Sequence, residues 1–100
     1  MDFAIVWTEP ALDDLEAIVR YIQLRNPTAA ESVRVSILAT VELLVRFPFI
    51  GPQYERDQTG RAREILSGKY RIFYRVNESG QQVEILTVWH GLRSEPTLPY

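Results

Sequence analysis

The feature that most constrains the fold is a series of strand-like segments in the second half of the chain, separated by very short turns. Three segments are rich in β-branched and aromatic residues: REIL (63–66), YRIFYRV (70–76) and QVEILTVWH (82–90). This composition predicts strands. Ser67 and Gly68 form the first turn, and NESG (77–80) forms the second. Strands joined by turns this short must be antiparallel, so we expect a three-stranded meander.

The first half of the chain predicts one short strand and then a helix. FAIVW (3–7) is β-branched and aromatic, as a strand should be. Thr8 and Pro10 mark a helix start, because threonine is a good cap and proline is harmless in the first turn. Apolar residues then recur at helical spacing: Leu12, Leu15, Ile18, Val19 and Ile22.

A second helix is predicted after the break at Asn26 and Pro27. Thr28 and Glu31 have the spacing of a capping box, and Pro48 ends the helix. Its apolar stripe comprises Val33, Ile37, Val41, Leu44 and Val45. The link between the helices is short, which predicts an antiparallel helical hairpin.

Together these elements predict an α+β fold: an N-terminal strand, an antiparallel helical hairpin and then the three-stranded antiparallel meander. The hairpin should cover one face of the sheet and leave the other open. Alternation within YRIFYRV puts Tyr70, Ile72, Tyr74 and Val76 on one side, and Arg71, Phe73 and Arg75 on the other. We therefore expect the arginine side to be the open face.

Length and composition restrict what this fold can carry. One hundred residues suit a single domain with one core, and we take residues 1–100 as that domain. The chain has no cysteine and one histidine, which argues against a disulfide framework, a thiolate nucleophile and a Cys/His metal site. We expect no metal and no cofactor. There is no bilayer-spanning apolar run and no signal-peptide pattern, so we expect a cytoplasmic protein without membrane contact.

The charge is distributed unevenly, although the formal net charge is only -2. Residues 1–55 carry four basic and eight acidic side chains, whereas residues 56–100 carry seven basic and five acidic ones. An anionic partner would therefore meet the second half. The candidate binding residues there are five arginines: Arg61, Arg63, Arg71, Arg75 and Arg93.

The only histidine, His90, ends the last strand segment, and Arg93 follows three residues later. This pair has two interpretations: an acid/base group beside a phosphate contact, or the polar end of a packed strand. The same choice applies to Arg71 and Arg75, which are either binding residues or the solvated side of a strand.

Other conspicuous side chains have simpler interpretations. The large aromatics are most simply core residues of the sheet: Trp7, Tyr70, Tyr74 and Trp89. Asp13, Asp14 and Glu16 fall on the polar side of the first helix, with no partner that would make a catalytic pair. We expect all three carboxylates to face solvent.

Five segments occur in a recognisable order over essentially the whole chain: WTEPALDDLEAIVRYI, NPTAAE, RFPFIG, the REIL to YRIFYRV hairpin and VEILTVWHGLR. Each alone is an ordinary helix or strand pattern. As a colinear set they resemble toxins of the RelE/ParE superfamily from bacterial type II toxin–antitoxin systems. The resemblance implies the α+β fold predicted above and a cognate antitoxin that neutralises the toxin.

The superfamily includes two chemistries, and the resemblance implies different residues for each. RelE-like members are ribosome-dependent endoribonucleases that direct the ribose 2′-OH of mRNA at the adjacent phosphate. For that chemistry Arg71 would contact the phosphate, Arg61 or Arg63 would add a second contact, and His90 or a tyrosine would move the proton. ParE-like members instead bind and inhibit DNA gyrase.

The sequence favours the ParE-like branch. Its second half has a single lysine, Lys69, where many RelE-like enzymes present a basic cluster, and Tyr100 stands alone at the C-terminus. We expect a toxin of the plasmid stabilisation type that inhibits DNA gyrase and is neutralised by a cognate antitoxin. The alternatives are a RelE-like endoribonuclease acting on the ribosome with mRNA, and a domain that only binds an antitoxin. The oligomeric state of the complex stays open.

Overall fold

The computed structural model describes residues 2–91, Pro96 and Leu98. The elements follow the predicted order: strand β1 (Ala4–Trp7), helices α1 (Glu9–Gln23) and α2 (Pro27–Arg46), and strands β2 (Ala62–Ser67), β3 (Tyr70–Asn77) and β4 (Gln82–His90). Strands β2, β3 and β4 form the expected antiparallel meander. The predicted α+β architecture is therefore confirmed.

Strand β1 joins the meander to make a four-stranded sheet with the order β1-β4-β3-β2. It runs parallel to β4, with Ala4 opposite Gln82 and Trp7 opposite Ile85. The two helices form the crossover between β1 and the meander, which is the connection that a parallel pair requires. This pairing places β2 at one edge of the sheet.

The start of α1 agrees with the prediction, and the start of α2 does not. The Thr8 side chain caps α1 by accepting a hydrogen bond from the backbone N–H of Ala11. In α2 the cap is Asn26, whose Oδ1 accepts from the N–H of Ala29 at 3.1 Å. Pro27 already occupies the first turn, so Thr28 lies inside the helix and the predicted capping box is wrong.

The main core lies between the helical hairpin and one face of the sheet. It includes fully buried side chains from both layers: Ile37, Leu44, Ile72, Tyr74, Val83 and Ile85. The predicted alternation in β3 therefore holds for Ile72 and Tyr74. Within the described residues, no helix is both long enough and apolar enough to cross a membrane.

The opposite face of the sheet is less open than predicted. Phe73, on the arginine side of β3, is fully buried in a second cluster with Tyr54, Ala62 and Leu86. The Tyr54 ring meets the Phe73 ring edge-on at 4.8 Å, and Leu98 packs against the same cluster. The expectation of a bare face fails because the segment between α2 and β2 folds back over it.

Asp14 also departs from its prediction, because it contacts the sheet instead of facing only solvent. Its Oδ2 accepts hydrogen bonds from the Thr87 hydroxyl and from the Val88 N–H, the latter at 3.0 Å. The pairing of β1 ends at Ile85, so the next part of the β4 edge needs other acceptors. Asp13 and Glu16 are exposed, as expected.

Candidate functional site

The two arginines of β3 each contact a carboxylate on a neighbouring strand. Arg71 Nε contacts Glu64 Oε2 of β2, and Arg75 Nε donates to Glu84 Oε1 of β4 at 2.9 Å. All four side chains are at most 26% exposed. In such partly desolvated positions the pairs are less screened than surface ion pairs. Both charges are thus largely balanced within the sheet.

Arg71 is also held by aromatic rings. Its guanidinium carbon lies 5.0 Å from the centroid of the Phe73 ring and 5.9 Å from the centroid of the Tyr54 ring. Stacking of this kind is an ordinary use of arginine in packed surfaces. The ion pair and the two rings together fix Arg71 against the second cluster.

Arg63 acts as a structural clasp for the segment that follows α2. Its Nη1 donates to the carbonyl oxygen of Gly51 at 2.7 Å and of Phe49 at 3.3 Å. Its guanidinium also lies over the Phe49 ring at 4.9 Å. The contacts of Arg63 are therefore internal, and its side chain holds the loop in place.

Tyr74 completes this clasp from inside the core. Its hydroxyl accepts the Gly51 N–H at 2.9 Å, and a Cβ at Gly51 would lie 2.5 Å from the carbonyl oxygen of Glu64. Burial raises the pKa of Tyr74, against the opposing effects of the Gly51 hydrogen bond and the Arg63 charge. Glycine is required at position 51 because the backbone approaches β2 so closely.

The two remaining predicted arginines are placed differently. The side chain of Arg61 is exposed just before β2, while its N–H donates to Asp57 Oδ2 at 3.1 Å. Arg61 is therefore accessible to a partner. Arg93 lies outside the described residues.

His90 and Arg71 lie on opposite faces of the sheet. His90 is opposite Tyr70 in the β3–β4 register, and Arg71 is opposite Trp89. The Tyr70 and His90 rings meet edge-on at 5.4 Å, and Tyr70 packs against the main core. Because neighbouring residues of a strand point to opposite faces, the structure does not bring Arg71 and His90 together.

A cleft of about 470 Å³ opens beside His90, between α2 and the turn that joins β2 to β3. Its lining residues are Ile22, Ala29, Ser32, Val33, Ser36, Ser67, Gly68, Lys69, Tyr70 and His90. The lining combines aliphatic side chains with serine hydroxyls, and no described carboxylate lines the cleft. Burial raises the pKa of Tyr70. The cleft therefore suits a ligand that places an apolar group among the aliphatic side chains and a negative charge next to Lys69.

The outer edge of β2 is only partly covered next to this cleft. Tyr54 donates its N–H to the carbonyl of Ala62, and Glu64 donates its N–H to the carbonyl of Pro52. Alternation makes Leu66 the next residue whose backbone groups point outward. Its side chain is 63% exposed. This edge can accept a further strand at Leu66.

Sequence reasoning missed the carboxylates that engage the arginines. The turn between β2 and β3 leaves Ser67 opposite Tyr70, and counting back from that pair puts Glu64 on the same face as Arg71. The predicted turn at Ser67 and Gly68 is one residue too early, but it also puts Glu64 on the face of Arg71, directly opposite it. The signal for the Glu64–Arg71 pair was therefore present in the sequence and was not used.

Comparison with known proteins places the chain in a family. The family described as the ParE toxin of the type II toxin-antitoxin system, parDE, matches residues 5–95. The chain is 35% identical over 92 residues to the "Putative toxin Y4kP" of Sinorhizobium fredii (strain NBRC 101917 / NGR234), a match that covers 92% of each protein.

Solved structures share the fold. A chain of the chromosomal ParDE toxin–antitoxin system from P. aeruginosa superposes with a TM-score of 0.74 at 21% identity, covering 88% of this chain and 95% of that one. A chain of the RelBE2 toxin–antitoxin complex from Mycobacterium tuberculosis gives 0.69 at 22% identity, covering 90% and 99%. A free E. coli RelE toxin mutant gives 0.67 at 18% identity, covering 92% and 86%. The solved structures show the fold, and the family match together with the Y4kP relative shows that the chain belongs to the ParE toxin family of type II toxin–antitoxin systems.

Proposed function

We propose that this toxin acts in the cytoplasm as a ParE-like inhibitor of DNA gyrase, in a system of the plasmid stabilisation type. The observation that carries the proposal is the state of Arg71: it is stacked on Phe73 and engaged by Glu64. A phosphate contact would have to form next to that carboxylate and against its negative charge. A surface of internally balanced charge suits binding to a folded protein better than cleavage of RNA.

The alternative is a RelE-like, ribosome-dependent mRNA endoribonuclease. The observation in its favour is the contact between Tyr70 and His90 beside Lys69, because proton-transfer groups next to a cation are what such cleavage needs. Arg71 lies on the other face of the sheet from His90, so a nuclease site at His90 would use Lys69 as its cation. Arg61 and Arg93 are then target-binding candidates under either function, whereas Arg75, like Arg71, is engaged by a carboxylate of a neighbouring strand.

The proposed antitoxin contact is the cleft beside α2 together with the β2 edge. The outward-pointing backbone of Leu66 would receive an added strand, and the aliphatic lining residues, Val33 among them, would bury an apolar side chain. Lys69 at the rim favours an acidic residue next to that side chain. An antitoxin segment that folds on binding would supply all three contacts.

The experiment that tests the proposal follows supercoiling in cells. Induction of the chain alone should relax a reporter plasmid and arrest growth, and co-expression of the adjacent antitoxin gene should restore both. Cleaved messages without any change in plasmid superhelicity would instead support the nuclease. A chain that is harmless alone and still forms an antitoxin complex would support the third alternative.

A further inference from the structure

The uncovered part of the β2 edge is short, and it ends at the cleft beside α2. Residues 52–54 already pair with β2 as far as Glu64. Leu66 is the next residue whose backbone points outward, and the turn at Gly68 and Lys69 follows it. An added strand therefore finds only a short stretch of edge. The end of a chain fits such a stretch more easily than an internal segment, which must leave the edge in two directions.

A residue added opposite Ser67 would point its side chain into the cleft. Ile65 packs against the main core, on the face of the sheet that the helices cover. Ser67, two positions further along β2, shares that face and lines the cleft. Residues directly opposite each other in a ladder point to the same side. The side chain opposite Ser67 therefore lies near Ile22 and Val33, which are half-buried and aliphatic, so an apolar residue suits this position.

The charge beside the cleft determines which end of a chain fits there. Lys69 is exposed and is the only lysine in the sequence, and no carboxylate of the described residues lines the cleft. Its ammonium group is carried on a flexible stem, so it can reach the backbone that follows a residue opposite Ser67. A chain's C-terminus is negative at neutral pH and its N-terminus is positive. An added strand is therefore favoured parallel to β2, with its α-carboxylate beside Lys69.

The turn itself leaves room for this carboxylate. Gly68 has a φ of +56°, and apart from its chain neighbours no described heavy atom lies within 4 Å of a Cβ placed there. On the α2 side of the cleft, Ser32 and Ser36 contribute hydroxyl groups that can donate hydrogen bonds. A single residue of a partner can thus place its side chain in the cleft and its carboxylate at Lys69.

We propose that the cleft captures the C-terminal residue of the antitoxin, with an apolar side chain against Val33 and the α-carboxylate at Lys69. The proposal rests on the antitoxin contact proposed above, and it adds which part of the antitoxin binds there. It combines two modes of peptide recognition, strand addition at a sheet edge and capture of a terminal carboxylate. An acidic side chain within the antitoxin would also satisfy Lys69, so the test separates a terminal carboxylate from an internal one.

The test is titration calorimetry of the whole chain with a peptide that copies the C-terminal segment of the antitoxin encoded by the adjacent gene. The peptide is made with a free carboxylate and as the C-terminal amide, which differ only in the terminal charge. The wild-type chain is expected to bind the amide about 10-fold or more weakly, as the loss of one charge-assisted contact implies. The intact antitoxin with a Gly-Gly extension should lose affinity in the same way, because the extension moves the carboxylate away from Lys69.

Two variants of the toxin locate the effect. Lys69→Gln should bind the free acid as weakly as the wild-type chain binds the amide, and it should no longer distinguish the two peptides. Arg20→Gln is the matched control, because it removes an exposed positive charge of α1 that lies outside the cleft. This control should keep the full preference for the free acid.

Equal affinity of the wild-type chain for the two peptides, and for the native and extended antitoxins, would overturn the proposal and leave the antitoxin contact standing. A preference for the free acid that persists in Lys69→Gln would also overturn it. An intact antitoxin that does not bind the chain at all would overturn both this proposal and the antitoxin contact on which it rests, so the two failures are distinguishable.

Discussion

At the residue scale, the decisive feature is what each arginine contacts, because residue type alone did not distinguish binding from structure. Arg63 holds a loop through two carbonyl oxygens, whereas Arg61 is exposed, although they lie two positions apart. Arg71 and Arg75 are each paired across the sheet. The sequence showed where positive charge accumulates. It did not show which charges are already satisfied, because that depends on strand register.

The Arg71–Glu64 pair should be measurable as a coupling in stability. Arg71→Ala leaves a partly buried carboxylate without its partner and should lower the free energy of unfolding by about 1–2 kcal/mol. Combining it with Glu64→Gln should recover part of that loss, giving a coupling of about 1 kcal/mol in a double-mutant cycle. Chemical denaturation of the four proteins measures both values. If the stability losses of the two single variants simply add in the double variant, the Arg71–Glu64 pair is too solvated to contribute to stability.

The buried Tyr74 and the half-buried Tyr70 make stability depend on alkaline pH. Burial raises the pKa of Tyr74 and of Tyr70 in the folded chain, so the unfolded chain loses these protons first. The stabilisation is complete below the ordinary tyrosine pKa of about 10 and is lost as the pH rises toward the folded-state values. Thermal unfolding above pH 10 should become less pH-dependent in Tyr74→Phe. An unchanged dependence would contradict this assignment.

At the scale of elements, helical periodicity and short turns were sufficient to predict both helices and the meander. The cap of α2 was missed, since Asn26 competes with Thr28 for the same role and Pro27 decides between them. The pairing of β1 was beyond sequence reasoning, because its partner begins 78 positions later, at Gln82 opposite Ala4. A four-residue strand carries too little pattern to choose a neighbour.

The β2 edge yields a prediction about antitoxin binding. Leu66→Pro removes an outward-pointing N–H and leaves the hydrogen bonds to β3 in place, a change that edge strands tolerate. If the antitoxin adds a strand there, Leu66→Pro should weaken its binding at least about 10-fold, a loss of roughly 1.4 kcal/mol. Leu66→Ser keeps the N–H and is the matched control. Titration calorimetry measures the affinity of both variants for the antitoxin. Equal affinities of Leu66→Pro and Leu66→Ser would exclude strand addition at Leu66.

At the scale of the whole molecule, the largest difference from expectation is the covered face of the sheet. The segment between α2 and β2 has no helical or strand period, so nothing in its sequence predicted that Tyr54 would lie on Phe73. The same segment carries Phe47, Phe49 and Ile50 to the surface. The helices and meander build the scaffold, and this irregular segment determines which surfaces remain available to partners.

The most direct test of the proposed activity is a paired assay of the purified wild-type chain. One half follows ATP-dependent supercoiling of relaxed plasmid by DNA gyrase, and the other follows cleavage of mRNA on programmed ribosomes. A gyrase inhibitor is expected to block supercoiling, to be reversed by the cognate antitoxin, and to leave the message intact. Ribosome-dependent cleavage with supercoiling unaffected would contradict the gyrase proposal, whether the cleavage is lost in Arg71→Ala or in His90→Ala.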